Sequence, residues 1–507
     1  MQEYDINVKA INTSYLQITC DNSGIYYELH EKFSFFADGY KFQEKFKRKI
    51  WDGKVRLFNR QNRTLPFGLY PELLKFAKDN EYTISPNVIM PTIDITEDDI
   101  MDFGMNTLKL PFEPRDFQVS ATTEALRTGR KIILAPTGGG KSLILYMMTM
   151  YIQDILKFEN ILIIVPTVGL VTQLHSDFCE YSINNKDFDP DNILLVPNNK
   201  GIKYDKNKNI TITTWQSMMS VLKGEDAKEF FSKYEAVLVD EVHTMAANIA
   251  KEITLMCSNT PIKIGMTGTL SNTKTGELAI KGLFGPVYKT TTTAELIESG
   301  TLTDVRIKAI QVDHKGFNEL KAKLDYVTEN QYIRTCEPRT NFISKLATRI
   351  SNSGNTLVLY QNLDQGKALY ETISSLAEGK HVFLVNGSTK AEVRESVRKF
   401  AETNNDVIII AGFQIFATGI NIKNLHNLIF ASPSKSMIRI LQSVGRILRT
   451  HHSKDVATVY DIYDSFDYRQ KSAKSFGVAH FVERFRIYSE AQLQVDVLQG
   501  PTIEVSV

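Results

Sequence analysis

The chain has 507 residues, and its 59 lysines and arginines nearly balance 58 aspartates and glutamates, leaving a net charge of +1. That length has room for about three domains and more than one hydrophobic core, and so even a balance makes only the distribution of charge informative about partners. Cys20, Cys179, Cys257 and Cys336 stand far apart with no CxxC pair, which argues against a zinc site and fits buried thiols in a reducing compartment.

The start, Met-Gln-Glu-Tyr-Asp-Ile, has neither the basic residues nor the apolar core of a secretory signal. The longest apolar stretch, Leu143 to Ile152, is too short to span a bilayer. The expected location is the cytoplasm, with no membrane partner.

Residues 1–108 have a texture of their own. Apolar and polar residues alternate through Ile6–Ile11 and Tyr15–Thr19, which predicts short strands, and 25–36 reads as a helix packed on them. A basic and aromatic run follows from Tyr40 to Phe58, with Asp52-Gly53 as a turn signal between two strand-like runs. Lys45, Lys47, Arg48, Lys49, Lys54 and Arg56 concentrate positive charge in an otherwise neutral chain, the footprint of a face that binds phosphates. Residues 91–106, acidic and rich in turn formers, read as a linker.

From Pro111 onward the pattern becomes α/β. Apolar runs recur at 132–134, 161–165, 210–213, 236–239 and 262–266, as in a parallel sheet covered on both faces. The first run feeds Ala135-Pro136-Thr137-Gly138-Gly139-Gly140-Lys141-Ser142, and a helix-like segment follows. A strand, a glycine-rich loop and a helix in that order make a phosphate cradle. Lys141 would reach the β- and γ-phosphates, and the Ser142 hydroxyl would ligate Mg²⁺. About a hundred residues on, a buried strand ends in Asp240-Glu241-Val-His243. Asp240 would hold Mg²⁺, and Glu241 would orient or deprotonate the attacking water. Arg115 and Gln118, just ahead of the first strand, would read an adenine edge. The turns at Pro166-Thr167, at Thr213-Thr214-Trp215 and at Thr267–Leu270 follow other strands, where they would hold a sugar–phosphate backbone or couple it to the nucleotide.

Strand candidates then repeat at 356–360, 382–385, 407–411, 428–431 and 457–460, without a second phosphate loop. Arg446 and Arg449, three apart and so on one face of a helix, would stabilise charge developing on a γ-phosphate. The tail beyond Gln470 reads as helical to about Leu498.

In this order the segments resemble the superfamily 2 helicases and translocases. Ala135–Ser142 looks like motif I and Asp240–His243 like motif II. Thr267–Thr269 looks like motif III, 412–420 like motif V and 442–449 like motif VI. Val-His at the end of motif II, and Gln442 where RNA helicases of the DEAD-box class usually carry His, point to the duplex-DNA branch. Phe36–Tyr40, Trp51–Arg56 and Leu65–Leu69 are similar to the start of the phage UvsW helicase family. The resemblance implies two tandem RecA-like parallel-sheet lobes, at 109–304 and 305–470, behind a small α+β nucleic-acid-binding domain at 1–108, with a tail from 471. It implies ATP and Mg²⁺ as cofactors and DNA, duplex and branched, as partner, with RNA–DNA hybrids among the substrates. It further implies Gln442, Arg446 and Arg449 in catalysis, Pro136, Thr137 and Gly419 beside the nucleotide, and Thr167, Thr214, Trp215, Gly387 and Thr418 on the nucleic-acid backbone. The expected function is ATP-driven remodelling of branched DNA. The alternatives are a translocase subunit of a restriction or remodelling complex and a non-catalytic DNA-binding protein switched by ATP.

Overall fold

The computed structural model describes residues 4–37, 39–86, 88, 92–196, 208–244, 249–269, 274–316, 326–413, 422–433, 444–445, 447–448, 450–467 and 475–504. Two compact units divide the chain: 1–135 with 139–291, and 136–138 with 292–507.

The first unit contains a seven-stranded parallel sheet in the order Val287–Lys289, Arg130–Leu134, Ile262–Thr267, Ala236–Val239, Ile161–Val165, Ile210–Thr214, Ile193–Val196. The five runs predicted from the sequence form its centre. Ile161–Val165 and Ala236–Val239 are buried at every position, as strands covered on both faces must be. The edge strands Ile193–Val196 and Val287–Lys289 escaped prediction, being short and only partly buried. The long apolar stretch after the phosphate loop is the helix Lys141–Asp154, whose residues 143–152 are all buried.

The N-terminal residues of this unit build a three-stranded antiparallel sheet, Asn7–Ala10, Tyr15–Thr19 and Thr64–Pro66, with the helix Ser23–Lys32 beside it. That helix ends at Lys32, earlier than the sequence suggested, and Ser34–Phe36 instead pairs antiparallel with Lys54–Arg56. Asp52-Gly53 does turn the chain, with Gly53 at φ +82. The run before it is not a strand, however, but a helical turn, Glu44–Lys47. A Cβ on Gly53 would stand 2.4 Å from the Tyr40 ring, so only glycine lets the turn close on its aromatic neighbours.

The segment expected to be a linker, 91–106, instead carries a helix. Thr96 and Asp99 form a capping box for the helix Glu97–Asp102, and Ile100 and Phe103 enter the core of the parallel-sheet domain. Its acidic residues are those of a helix N-terminus, not of a solvated connection.

The N-terminal strands and the parallel sheet are joined by buried polar contacts. Lys263, 1% exposed, donates to Ser14 Oγ at 2.6 Å and to the Thr254 carbonyl at 3.0 Å. Arg130, 4% exposed, donates to the carbonyls of Thr13 and of Leu283 (3.2 Å) and lies over the Phe67 ring. Gly68 packs so tightly on the helix Lys274–Phe284 that a Cβ would meet the Lys281 carbonyl at 2.1 Å.

The second unit has its own seven-stranded parallel sheet, ordered His381–Val385, Val407–Gly412, Thr356–Tyr360, Asn427–Phe430, Val456–Phe466, Asp304–Lys315, Gln494–Glu504. The tail is therefore not helical throughout: the helix Phe476–Glu490 is followed by a strand that hydrogen-bonds to the first strand of this unit. Buried ion pairs pin the sheet, with Arg339 on Asp464 at 2.7 Å and Arg484 on Asp461 at 2.8 Å. No helix among the described residues is long and apolar enough to cross a membrane.

Candidate functional site

The strand Arg130–Leu134 delivers the chain to the glycine-rich turn, and Gly138 (φ +87) and Gly140 (φ +74) take left-handed conformations there. Gly140 is the N-cap of the helix Lys141–Asp154, which aims the partial positive charge of the helix N-terminus at the loop. The Ala135 N–H donates to the Thr267 carbonyl at 3.0 Å, tying the start of the loop to the neighbouring strand.

Gln118 supports the loop from below. Its Nε2 donates to the Gly139 carbonyl at 3.1 Å and its Oε1 accepts from the Arg115 N–H at 3.0 Å. The side chain expected to read an adenine edge is 2% exposed and is held by protein at both ends. A Cβ on Gly140 would stand 2.3 Å from that Nε2, so the glycine and the glutamine fit as a pair.

The acidic motif faces Lys141. Lys141 Nζ lies 3.5 Å from Glu241 Oε1 and 3.4 Å from the Ala135 carbonyl. Glu241 sits at φ +51, a left-handed conformation costing a non-glycine residue about 1–3 kcal/mol, and such strain gathers at functional sites. Its Oε2 accepts from the Gly268 N–H at 3.4 Å, and the Thr267 hydroxyl lies 3.3 Å away. Burial works against the charged form of Glu241, but Lys141, then His243 and the Gly268 and Thr267 donors outweigh it, so its pKa stays below the ordinary value. Asp240 has the opposite fate: burial, then the neighbouring Glu241 charge, push it up to about 7. One residue of the pair is thus held ionised for acid–base work, while for the other burial and the Glu241 charge outweigh the pull of Lys141.

The donors fit a hard divalent ion. Ser142 offers a hydroxyl and Asp240 a carboxylate, the oxygen ligands Mg²⁺ takes, and the raised pKa of Asp240 marks a carboxylate that a cation would stabilise. Ser142 Oγ is 2.8 Å from the Tyr181 hydroxyl, a partner 39 residues away that no local pattern would reveal. His243 Nδ1 contacts the Thr267 hydroxyl and lies 3.3 Å from Glu241, while its Nε2 is buried without a hydrogen-bond partner among the described residues. Motifs II and III are therefore in direct contact through Glu241, His243 and Thr267.

The turns expected on nucleic acid cap helices. Thr167 accepts from the Leu170 N–H at the start of Val168–Tyr181, and Thr214, buried, accepts from the Ser217 N–H at the start of Trp215–Leu222. Trp215 packs partly into the hydrophobic core. Gly387 is exposed, with nothing among the described residues within 4 Å of a Cβ built there. Thr418, Gly419, Gln442, Arg446 and Arg449 lie outside the described residues.

On the N-terminal module Lys45, Lys47, Arg48 and Lys49 are exposed, Arg48 within reach of Glu44. Lys54 and Arg56 are instead engaged, Lys54 with Glu31 at 2.9 Å and Arg56 with Asp52. Phe36, Tyr40 and Phe46 form an aromatic cluster, and Phe42 is 82% exposed.

Comparison with known proteins follows the same division. The family described as "DNA helicase UvsW, N-terminal" matches residues 5–87, "Type III restriction enzyme, res subunit" matches 111–272, and "Helicase conserved C-terminal domain" matches 339–451. The ATP-dependent DNA helicase uvsW of Enterobacteria phage T4 is 33% identical over 96% of this chain and 97% of its own length. The DNA 3′-5′ translocase XPB2 of Sulfurisphaera tokodaii is 25% identical over 67% of each chain. Among solved structures, T4 UvsW superposes with a TM-score of 0.50 at 29% identity, covering 98% of this chain and 99% of that one. A fragment of a putative HsdR subunit of a type I restriction enzyme from Vibrio vulnificus shares the fold, with a TM-score of 0.56 at 17% identity over 92% of this chain and 83% of that one.

Proposed function

The chain belongs to the UvsW family of ATP-dependent DNA helicases, and we propose that it couples ATP hydrolysis to the remodelling of branched DNA. Branch migration, fork regression and the unwinding of RNA–DNA hybrids at R-loops are the reactions meant. The observation that carries this reading is Glu241 held between Lys141, the Gly268 N–H and the Thr267 hydroxyl, beside a glycine-rich phosphate loop.

ATP with Mg²⁺ supplies the phosphoanhydride bond and the charge that screens its oxygens. The protein's part begins with the loop N–H groups and Lys141, which bind the β- and γ-phosphates. Ser142 and Asp240 would hold the ion, Ser142 after exchanging its Tyr181 partner. Glu241, kept ionised, accepts a proton from the attacking water or orients it. Thr267 and His243 carry any displacement of Glu241 into the turn after Ile262–Thr267, which gives nucleic acid on motif III a route to the chemistry. Arg446 and Arg449 are assigned to the charge developing on the transferred phosphoryl group, on their spacing and motif. Lys45, Lys47, Arg48 and Lys49 grip the DNA backbone, and Thr167, Thr214, Trp215, Gly387 and Thr418 contribute further contacts along the strand.

The test compares wild type with Glu241→Gln on a four-way junction and on blunt duplex. ATP turnover stimulated by DNA, and junction movement that stops in a variant still able to bind ATP, is the expected result. Junction movement at wild-type rate in Glu241→Gln would refute the coupling, and DNA-independent turnover would refute the motor.

A further inference from the structure

A cleft on the N-terminal module lies outside all of the helicase motifs. It is a cavity of about 530 Å³ lined by His30, Arg56, Phe58, Asn59, Arg60 and Gln61, between the end of the helix Ser23–Lys32 and the loop that follows Lys54–Arg56. That volume lies within the ~300–1,000 Å³ of small-molecule sites. Phe58, 1% exposed, contributes an apolar wall.

Its polar groups divide sharply into used and unused. Arg56 donates through Nε to His30 Nε2 at 3.2 Å and through its other nitrogens to both Asp52 oxygens, so its charge is matched and its geometry fixed. His30 accepts that bond, and burial, then Arg60 and Arg56, hold its pKa below the ordinary value, so it adds no charge at neutral pH. Arg60 and Gln61 are exposed and make no hydrogen bond or ion pair among the described residues. The Arg60 guanidinium stacks on Tyr27, 3.9 Å from the ring centroid, and Tyr27 is itself 59% exposed.

One face of a guanidinium laid on an exposed tyrosine, with the other face open, is a platform for a planar aromatic group. A phosphate pocket would show several free cations, and here the second arginine is already neutralised. Asn59 Oδ1 accepts from the Asn62 N–H at 3.0 Å, which leaves its Nδ2 as a donor, and the Gln61 amide offers both a donor and an acceptor; such a mixed set suits the edge of a base and does not suit an anion. A base paired within a duplex is stacked on both faces and cannot enter a cleft. We propose that this cleft takes one unpaired nucleotide of a DNA strand, its base stacked on the Arg60 guanidinium that Tyr27 backs and its edge met by the Gln61 amide and Asn59 Nδ2. The module then recognises the single-stranded side of a branch point, not only the backbone charge of the duplex. This rests on the proposed role of the module in binding nucleic acid.

The experiment is a cycle of protein and DNA changes read by fluorescence anisotropy. Forks carry a single-stranded arm of thymidines or of abasic residues, and the proteins are wild type, Arg60→Ala and Gln61→Ala. Removing Arg60 should weaken binding to the thymidine arm on the order of ten-fold. Removing the bases should weaken wild type by a similar factor, and the two losses should not add. Gln61→Ala should show a smaller loss, again confined to the thymidine arm. Equal loss on both arms would reduce Arg60 to a backbone contact and overturn the proposal, as would no loss at all. Competition by millimolar free thymidine monophosphate against wild type alone would assign the cleft to a free nucleotide and also overturn it. The variant Lys45→Ala/Lys47→Ala/Lys49→Ala separates the cleft from the module as a whole, because it should bind both arms and blunt duplex more weakly. If it binds like wild type, the nucleic-acid reading of the module falls, and the role of the cleft with it.

Discussion

The Lys141 ammonium stands 3.5 Å from the Glu241 carboxylate, joining the phosphate loop to the acidic motif. A phosphate held by that lysine would lie beside the carboxylate assigned to the attacking water. Lys141→Ala should therefore abolish ATP turnover while leaving DNA affinity at low salt nearly intact. Glu241→Gln should retain ATP binding and lose turnover by two or more orders of magnitude, on the order of the general-base effect. Nucleotide-binding fluorescence and single-turnover hydrolysis, measured together, separate the two; parallel losses of affinity and rate in Glu241→Gln would make Glu241 structural.

Gly140 and Gln118 make a second, steric test. Alanine at 140 brings a Cβ to 2.3 Å from Gln118 Nε2 on a backbone at φ +74. The expected cost is about 1–3 kcal/mol of stability together with a weakened nucleotide site. Adding Gln118→Ala should recover part of the stability, because it removes the clash but not the backbone strain. A Gly140→Ala protein with unchanged melting and nucleotide affinity would show that the loop has another conformation to adopt.

Lys263 makes a prediction about pH. Burial, then the nearby Arg130, lower its pKa from 10.5 to about 7 in the folded chain. Between about pH 7 and pH 10 the unfolded chain binds the proton that the folded one has released, so stability should rise with pH across that window and be flat below it. The full effect is at most ~5 kcal/mol. Urea titrations from pH 6.5 to 9.5 on wild type and Lys263→Met should show the rise in wild type alone; the same slope in both would place the titrating group elsewhere.

The buried pair Arg339–Asp464 makes a prediction about the second unit. Asp464 accepts from Arg339 at 2.7 and 2.9 Å and from His314 at 2.8 Å, with all three side chains out of solvent. Asp464→Asn leaves the guanidinium buried without a counter-charge, which should cost about 3–5 kcal/mol. Thermal unfolding should resolve an early transition from this unit; a single unshifted transition would count against the pair as a stabilising interaction.

Neutralising Lys45, Lys47 and Lys49 should weaken DNA binding for all sequences alike. The slope of affinity against salt should flatten by about one unit for each phosphate the protein no longer neutralises. Lys54 and Arg56 should matter less per residue, since Glu31 and Asp52 already engage them. Unchanged salt dependence in the folded triple variant would make these lysines a solvated surface.

What the sequence revealed best was what repeats locally. Apolar runs such as 161–165 and 407–411 announce buried parallel strands because both faces are covered, and glycines followed by Lys-Ser announce a phosphate loop by chemistry alone. Geometry set by distant partners left no such trace. Nothing near Ser142 indicates Tyr181, and nothing near Gln118 says that its amide is held by Gly139 and Arg115. Thr96 to Asp99 did carry a capping signal, but the surrounding acidic residues resembled a connection. The last strand was hidden differently: it is paired on one side only and interrupted by Gly500-Pro501, so its hydrophobic pattern is weak. Gly500 is there because a Cβ would meet the Gln311 carbonyl at 2.5 Å, where the strand register shifts.

That last strand bears on how the protein is made. Asp304–Lys315 lies between Val456–Phe466 and Gln494–Glu504, so neither neighbour of this early segment exists until most of the chain has been synthesised. A ribosome adds about 5–20 residues each second, and for those many seconds a half-made second unit exposes a long unsatisfied strand. Synthesis of Gln494–Glu504, more than any step within the first unit, sets when the nascent second unit stops being a target for aggregation and for chaperones.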